Sequence, residues 1–458
     1  MPRPLYDALC DLSDSNPLRM HMPGHKGIGA DRFEGISSID FTEITPTGNL
    51  YTDEGPFSAA ENLCASFAGA KDAMFFSCGS TQGIYTMLAE AVGMDGEMIL
   101  ERGCHKSVYQ AMALLNITPH YLFAPMIENG CLSGPVLPSL VEDAIKRWPN
   151  AKALFLTTPT YYGVITDLAP IAAVCHQLGC ALLVDQAHGA HFPAVDLPSA
   201  AMQGADLTVV STHKTWPALG SSSVLYLGTN RFQKEHLKKT SALFGTTSPS
   251  YPILASIDYA RDALEQQDGD TYRYCAVLTQ AFREKINLQT PFRALCDHAD
   301  FQLDPCRLTI DVGCAGLTGY EADRLLQTQN IYIEMADERY IVLILTCRDD
   351  ESSLQRLWDG LIHLIPHYGT RPSDFSFSPP PLPITRCGIR TALLGPTQEM
   401  PLIQAVGRIS GSIVAPYPPG IPVLAPGEEI TEKHIAYLQK KSYNIKERIA
   451  VVSAAESK

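Results

Sequence analysis

Short apolar runs alternate with segments of helical periodicity through the first half of the chain. Asp72-Ala-Met-Phe-Phe-Ser77 reads as a strand, with Gln82 to Val92 as the helix after it. Glu97 to Glu101 is a second strand, followed by a helix near Ser107 to Leu115. Ala151 to Thr157 predicts a third strand, Leu168 to Leu178 a helix, and Cys180 to Asp185 a fourth strand. Ala205 to Ser211 and Ser223 to Leu227 predict two more. Strands that are apolar nearly throughout are buried on both faces, and helices between them make crossovers. The pattern therefore predicts a largely parallel α/β sheet.

Beyond it, a helical stretch from about Pro252 to Asn287 bridges to a smaller α+β unit. That unit has strands at Cys306 to Val312 and Tyr340 to Thr346, with helices around Glu321 and Ser353. After the Pro-rich Ser378 to Pro383 comes a third segment. It has a helix near Gln404, a turn-rich run from Pro416 to Pro422 and a closing helix over 431–446. The expected domains are an N-terminal arm (1–50), a large domain (51–285), a small α+β domain (286–370) and a C-terminal domain (371–458).

Composition narrows the class. With 458 residues, 45% hydrophobic and 18% charged, the chain is long enough for two or three packed domains. A net charge of −14 argues against nucleic acid as a partner. The thirteen cysteines form no C-x-x-C pair and no zinc-spaced cluster, which points to a reducing cytoplasm and to no metal. No apolar signal core and no run of membrane-spanning length is present, so a soluble protein is expected.

In open α/β sheets ligands bind at the carboxyl ends of the strands, and four such ends carry chemistry here. In Ser77-Cys-Gly79-Ser80-Thr81-Gln82-Gly83, Gly79 permits a tight turn. The Ser80 and Thr81 hydroxyls and the helix amides can cradle an anion there, the plain alternative being an ordinary N-cap. Asp185, in Asp185-Gln-Ala-His188-Gly-Ala-His191, is a strand-end carboxylate that wants a cationic or hydrogen-bonding partner, such as a protonated pyridine nitrogen. It can instead cap the next turn, or join His188 and His191 around a metal, although no third ligand stands at a recognised spacing. Ser211-Thr-His213-Lys214 puts a lysine where burial lowers its pKa and makes the amine nucleophilic. Thr157 to Gly163 is an aromatic-flanked turn that lines the same cleft or packs a loop.

The order of these ends, with the lysine 29 residues after Asp185, is the layout of fold-type-I pyridoxal-phosphate (PLP) enzymes. The sequence resembles the bacterial Orn/Lys/Arg decarboxylase family. The matching runs are His21 to Gly27, Thr42-Glu43-Ile44, Cys104-His105-Lys106-Ser107, Pro159 to Gly163, Asp185 to Ala190, Ser211 to Lys214, Thr247 to Tyr251 and Tyr417 to Pro422. The N-terminal wing domain of the longer members is missing, so the chain is similar to the shorter type.

The resemblance implies an aspartate-aminotransferase-like large domain with a mostly parallel seven-stranded sheet, plus smaller α+β C-terminal domains. It implies that Lys214 holds PLP as a Schiff base and that Asp185 pairs with the pyridinium nitrogen. His105, otherwise a helix cap, stacks on the cofactor ring, and His188 lies near its phenolic oxygen. Gly79, Ser80, Thr81, Ser211 and His213 are the implied phosphate site. Thr247 and Ser248 reach the phosphate of a neighbouring subunit in a homodimer or larger assembly with shared sites. The implied reaction is decarboxylation of arginine, lysine or ornithine to the corresponding amine.

Two departures bear on the substrate. Gly48-Asn49 stands where many relatives carry two acidic residues, and Ser221 stands near a usual glutamine. Glu43 remains, either for a basic substrate end or for a structural salt bridge. The rival readings are an aminotransferase, with Arg307, Arg348 or Arg408 gripping the α-carboxylate, and a PLP-binding relative that does not turn over.

Overall fold

The apolar runs pair into one seven-stranded sheet in a computed structural model that describes residues 2–29, 31–52, 54–367, 381–415, 422–440 and 445–453. In chain order its strands are β1 (Asp72–Phe76), β2 (Glu97–Glu101), β3 (Thr118–Leu122), β4 (Ala151–Thr157), β5 (Ala181–Asp185), β6 (Leu207–Val210) and β7 (Ser223–Leu227). In space the order is β1-β7-β6-β5-β4-β2-β3, and only β7 runs against its neighbours. Every residue of β5, β6 and β7 is buried, as their uninterrupted apolar character requires. Truncating Leu182 or Leu183, both with no exposed surface, to alanine is worth about 2–5 kcal/mol each. β3 has no counterpart among the predicted strands. It is an edge strand with Pro119 inside it and mostly half-exposed residues, so it lacks the apolar run that marks the others.

The helical stretch at 252–287 is two helices, Tyr251–Glu265 and Gln267–Gln289. They break at Gln266, whose φ of −101° and ψ of −99° are not helical. The second leads into a four-stranded antiparallel sheet ordered Arg293–Ala294, Arg307–Asp311, Tyr340–Ile344, Met335–Ala336. The N-terminal segment is anchored rather than trailing. Helix Pro4–Asp14 is capped from a distance, because Leu5 N and Tyr6 N donate to Asp258 Oδ2 at 2.9 and 3.2 Å.

In the C-terminal segment Thr397–Pro401 pairs antiparallel with Arg448–Val452, and helix Glu432–Lys440 packs beside them. The element near Gln404 is a single 3-10 turn, Leu402–Gln404. Tyr417–Ile421, residues 378–380 and residues 441–444 of the expected closing helix lie outside the described residues. Arg102, just past β2, fastens this segment to the large sheet. It donates to both oxygens of Glu428 at 2.5 and 2.8 Å and to the carbonyls of Pro422 and Val423 at 3.2 Å. Both charges are buried, so the hydrogen bonds offset a large desolvation cost. No helix among the described residues is long and apolar enough to cross a membrane.

Candidate functional site

The carboxyl ends of β4, β5 and β6 lie side by side, with Asp185 paired to both Thr157 and Val209. Lys214 sits in the one-turn helix Thr212–Thr215 that follows β6, and His188 sits on the turn after β5. Lys214 Nζ lies 3.0 Å from His188 Nε2, and His188 Nδ1 lies 3.1 Å from Arg307 Nη2. Arg307 opens a strand of the small sheet, so this chain of three crosses from one unit to the other. The Tyr161 ring stands 4.4 Å from the His188 ring and 5.9 Å from Lys214 Nζ. The aromatic turn thus lines the cleft.

Burial dominates the electrostatics. Desolvation raises the Asp185 carboxyl pKa, opposed by Lys214 and by the Ala187 N–H. It lowers the Lys214 amine, which Asp185 and Glu334 partly restore and Arg307 lowers further. His188 is held well below its ordinary value by burial and by the nearby Lys214 and Arg307. Its ring is therefore neutral. Asp185 Oδ1 accepts from Ala187 N at 3.0 Å, so the turn-capping alternative is realised by one oxygen. Among the described residues no hydrogen bond reaches the other.

Opposite Lys214, helix Gly79–Ala91 begins at Cys78, whose side chain makes no cap. Gly79 has φ +73° with open space where a Cβ would stand, and its N–H donates to Ser221 O at 2.8 Å. Ser80 Oγ accepts from Ser211 Oγ at 3.0 Å, so it bridges to the lysine-bearing segment instead of capping its own helix. A helix N-terminus with two hydroxyls and no side-chain cap suits an anion. Thr81 lies on the same turn, half-buried. His213 Nδ1 faces the Ser222 carbonyl at 2.8 Å and so carries its proton there. Its Nε2 can donate to an anion only when the ring is doubly protonated.

His105 caps helix Lys106–Leu115, its Nδ1 accepting from Ser107 N at 3.3 Å. Burial, Lys214 and Lys106 bring the imidazole down to about 4, so it is uncharged at neutral pH. Thr247 and Ser248 are exposed on the loop after helix Lys234–Ala242, and no hydrogen bond joins them to the Lys214 cluster. His188 and His191 face different partners, for His191 Nε2 bonds Asp304 Oδ1 at 2.9 Å. Glu43 accepts from the Thr42 hydroxyl, and no ion pair holds it among the described residues.

The departures have structural causes. Gly48 has φ +70°, and a Cβ there would lie 2.0 Å from the Glu54 carbonyl oxygen, so an acidic side chain does not fit this backbone. Asn49 Oδ1 accepts from Tyr51 N at 2.9 Å, and Ser221 occupies the left-handed region with φ 70°. Sequence reasoning missed Asp304 and Glu334 altogether and weighed Arg307 only as a carboxylate clamp. For Asp304 the one available signal was an Asp-Pro turn entering a strand.

Sheet order, strand-end lysine and strand-end aspartate define the fold-type-I class of PLP enzymes. The lysine decarboxylase of Francisella novicida superposes with a TM-score of 0.82 at 20% identity, over 98% of this chain and 81% of that one. The constitutive lysine decarboxylase of Escherichia coli does so at 0.82 and 19%, over 99% and 82%. Serine palmitoyltransferase of Sphingomonas wittichii matches more distantly, at 0.52 and 14% over 66% of this chain and 74% of that one. The family model for the Orn/Lys/Arg decarboxylase major domain matches residues 3–295, and that for the C-terminal domain matches 388–447. Arginine decarboxylase of Bacillus subtilis is 34% identical over 95% of this chain and 93% of its own length. The chain belongs to the Orn/Lys/Arg decarboxylase family and is an amino-acid decarboxylase.

Proposed function

We propose that the protein binds PLP at Lys214 in the cytoplasm and decarboxylates arginine to agmatine, with lysine and ornithine as weaker substrates. The observation that carries this reading is the buried Lys214–His188–Arg307 chain beside Asp185, facing a helix N-terminus with no side-chain cap. The choice of arginine is supported by relatives 32–34% identical over 93–96% of this chain that are named arginine decarboxylases.

The donor set fits the cofactor. Ser80, Ser211 and the first amides of helix Gly79–Ala91 suit its phosphate. His105 offers a flat uncharged face for the ring, and Asp185 keeps one oxygen for the ring nitrogen. Arg307 Nε and Nη1 are buried and, among the described residues, without hydrogen-bond partners, so they remain unused donors. When bound, the cofactor supplies an electron sink for the pair left as carbon dioxide departs. Asp185 holds a proton at the ring nitrogen, since a buried carboxylate stabilises the cation beside it. The hydroxyls and the His105 face fix orientation, and the Tyr161–His188 wall excludes water. Thr247 and Ser248, exposed in the single chain, complete the site of a partner subunit.

The test is mass spectrometry of the products that PLP-loaded protein makes from arginine, lysine and ornithine together. Agmatine as the main product is expected, and Lys214→Ala abolishes it. Keto acids instead of amines would make the enzyme an aminotransferase, and no product from any of the three would sink the reading.

A further inference from the structure

We propose that Arg307 is a positioning residue that sets the direction of hydrogen bonding through His188 and so presents Lys214 as an uncharged amine. A guanidinium has donors only. Its Nη2, 3.1 Å from His188 Nδ1, therefore fixes that nitrogen as the acceptor. An imidazole with a bare Nδ1 carries its proton on Nε2, the nitrogen 3.0 Å from Lys214 Nζ. An ammonium there would set N–H against N–H, whereas a free amine offers the lone pair that completes the chain. An imidazolium is excluded in the same way, since its Nδ1–H would face the guanidinium.

The rest of the surroundings agree. Arg307 forms no ion pair among the described residues. Its backbone is held by Arg283, whose Nη2 donates to the carbonyls of Arg307 and Asp304 at 2.5 and 2.8 Å. The donor is thus fixed on the small sheet while its target sits on the large one. Facing Lys214 are Asp185, Glu334, Arg307, His188, His105 and the Tyr161 ring. The two carboxylates favour the ammonium; burial and Arg307 oppose it. Removing Arg307 acts twice in one direction. It takes away a positive charge, and it frees His188 to turn a lone pair toward an ammonium.

The inference rests on the reading of Lys214 as the cofactor lysine, but its test needs neither cofactor nor substrate. Full-length cofactor-free protein is labelled with trace acetic anhydride from pH 6 to 11, and Lys214 acetylation is read by peptide mass spectrometry against a free-amine standard. In the wild type Lys214 stays reactive below pH 8. Arg307→Met is expected to match it at pH 11 and to fall roughly tenfold per pH unit below the restored lysine pKa, near ~10. Arg307→Lys, which keeps a donor and a charge, recovers most of the low-pH reactivity. His188→Phe removes the relay but leaves the Arg307 charge, so it shows a smaller low-pH loss in the same direction, which covers the case in which Arg307→Met does not fold. Superimposable profiles, a loss equal at every pH, or no recovery with lysine would overturn the proposal. Labelling as expected in a protein that yields no amine would overturn the proposed reaction alone.

Discussion

Glu101, the last residue of β2, is a fully buried carboxyl whose pKa desolvation raises to about 7, opposed only by the Gly103 N–H. A folded value above the unfolded one, near ~4.3, means that the charged form is disfavoured in the native state. The contribution to stability is fully present below the unfolded value and lost as pH rises through about 7. Glu101→Gln keeps the neutral shape and removes the loss. Relative to wild type it should gain on the order of 3 kcal/mol between pH 4 and pH 8, read as a growing Tm difference. A constant difference would mean that Glu101 does not titrate in that window. Gly48 is the opposite case, a residue whose role is steric. Gly48→Ala must move the Glu54 carbonyl and adopt a positive φ, so a loss above about 2 kcal/mol is expected in urea unfolding.

At the level of elements, the strands legible in the sequence were those buried on both faces, because burial demands an unbroken apolar run. β3 at the edge and helix Pro4–Asp14 in the expected arm make no such demand. The expected helical stretch over 252–287 breaks at Gln266, and the one local mark of it in the sequence is Gly269, three residues further on. Lys214 and Asp185 stood out in the sequence because each follows or ends an apolar strand, at the carboxyl edge of an α/β sheet where ligands bind. Arg307, Asp304 and Glu334 did not, because docking of the small sheet onto the large one brings them to the site. The C-terminal segment docks through the buried Arg102–Glu428 pair. Arg102→Met strands Glu428 without its cation and should cost roughly 3–5 kcal/mol. Limited proteolysis should then cut between the small sheet and residue 388 faster than in wild type, and an unchanged rate would show that the pair does not hold the segment. Replacing Glu428 with leucine as well should restore resistance.

For the whole molecule, the proposed shared sites make a separate claim. The wild type is expected to sediment as a dimer or larger. Thr247→Ala combined with Ser248→Ala should leave the assembly intact but release PLP several-fold faster on dialysis, read by the decay of cofactor absorbance. Unchanged retention would confine the phosphate site to one chain.

The reversed direction of β7 also bears on how the fold is assembled. β6 and β7 are joined by the segment that carries Lys214, so an antiparallel pairing between near neighbours places the lysine. The loop at Gly79 is different. It is held by β1, whose partner β7 is made long after it, with Asp72 facing Leu227. Local pairing closes a small loop and is fast, whereas distant pairing must first overcome a larger closure entropy. The backbone that carries Lys214 is therefore set by a local pairing, whereas the Gly79 loop is fixed by a pairing between the chain's early and late segments. On a ribosome that meeting cannot occur before Ser223, the partner of Phe76, has emerged, so the proposed anion site is completed only as the topology closes.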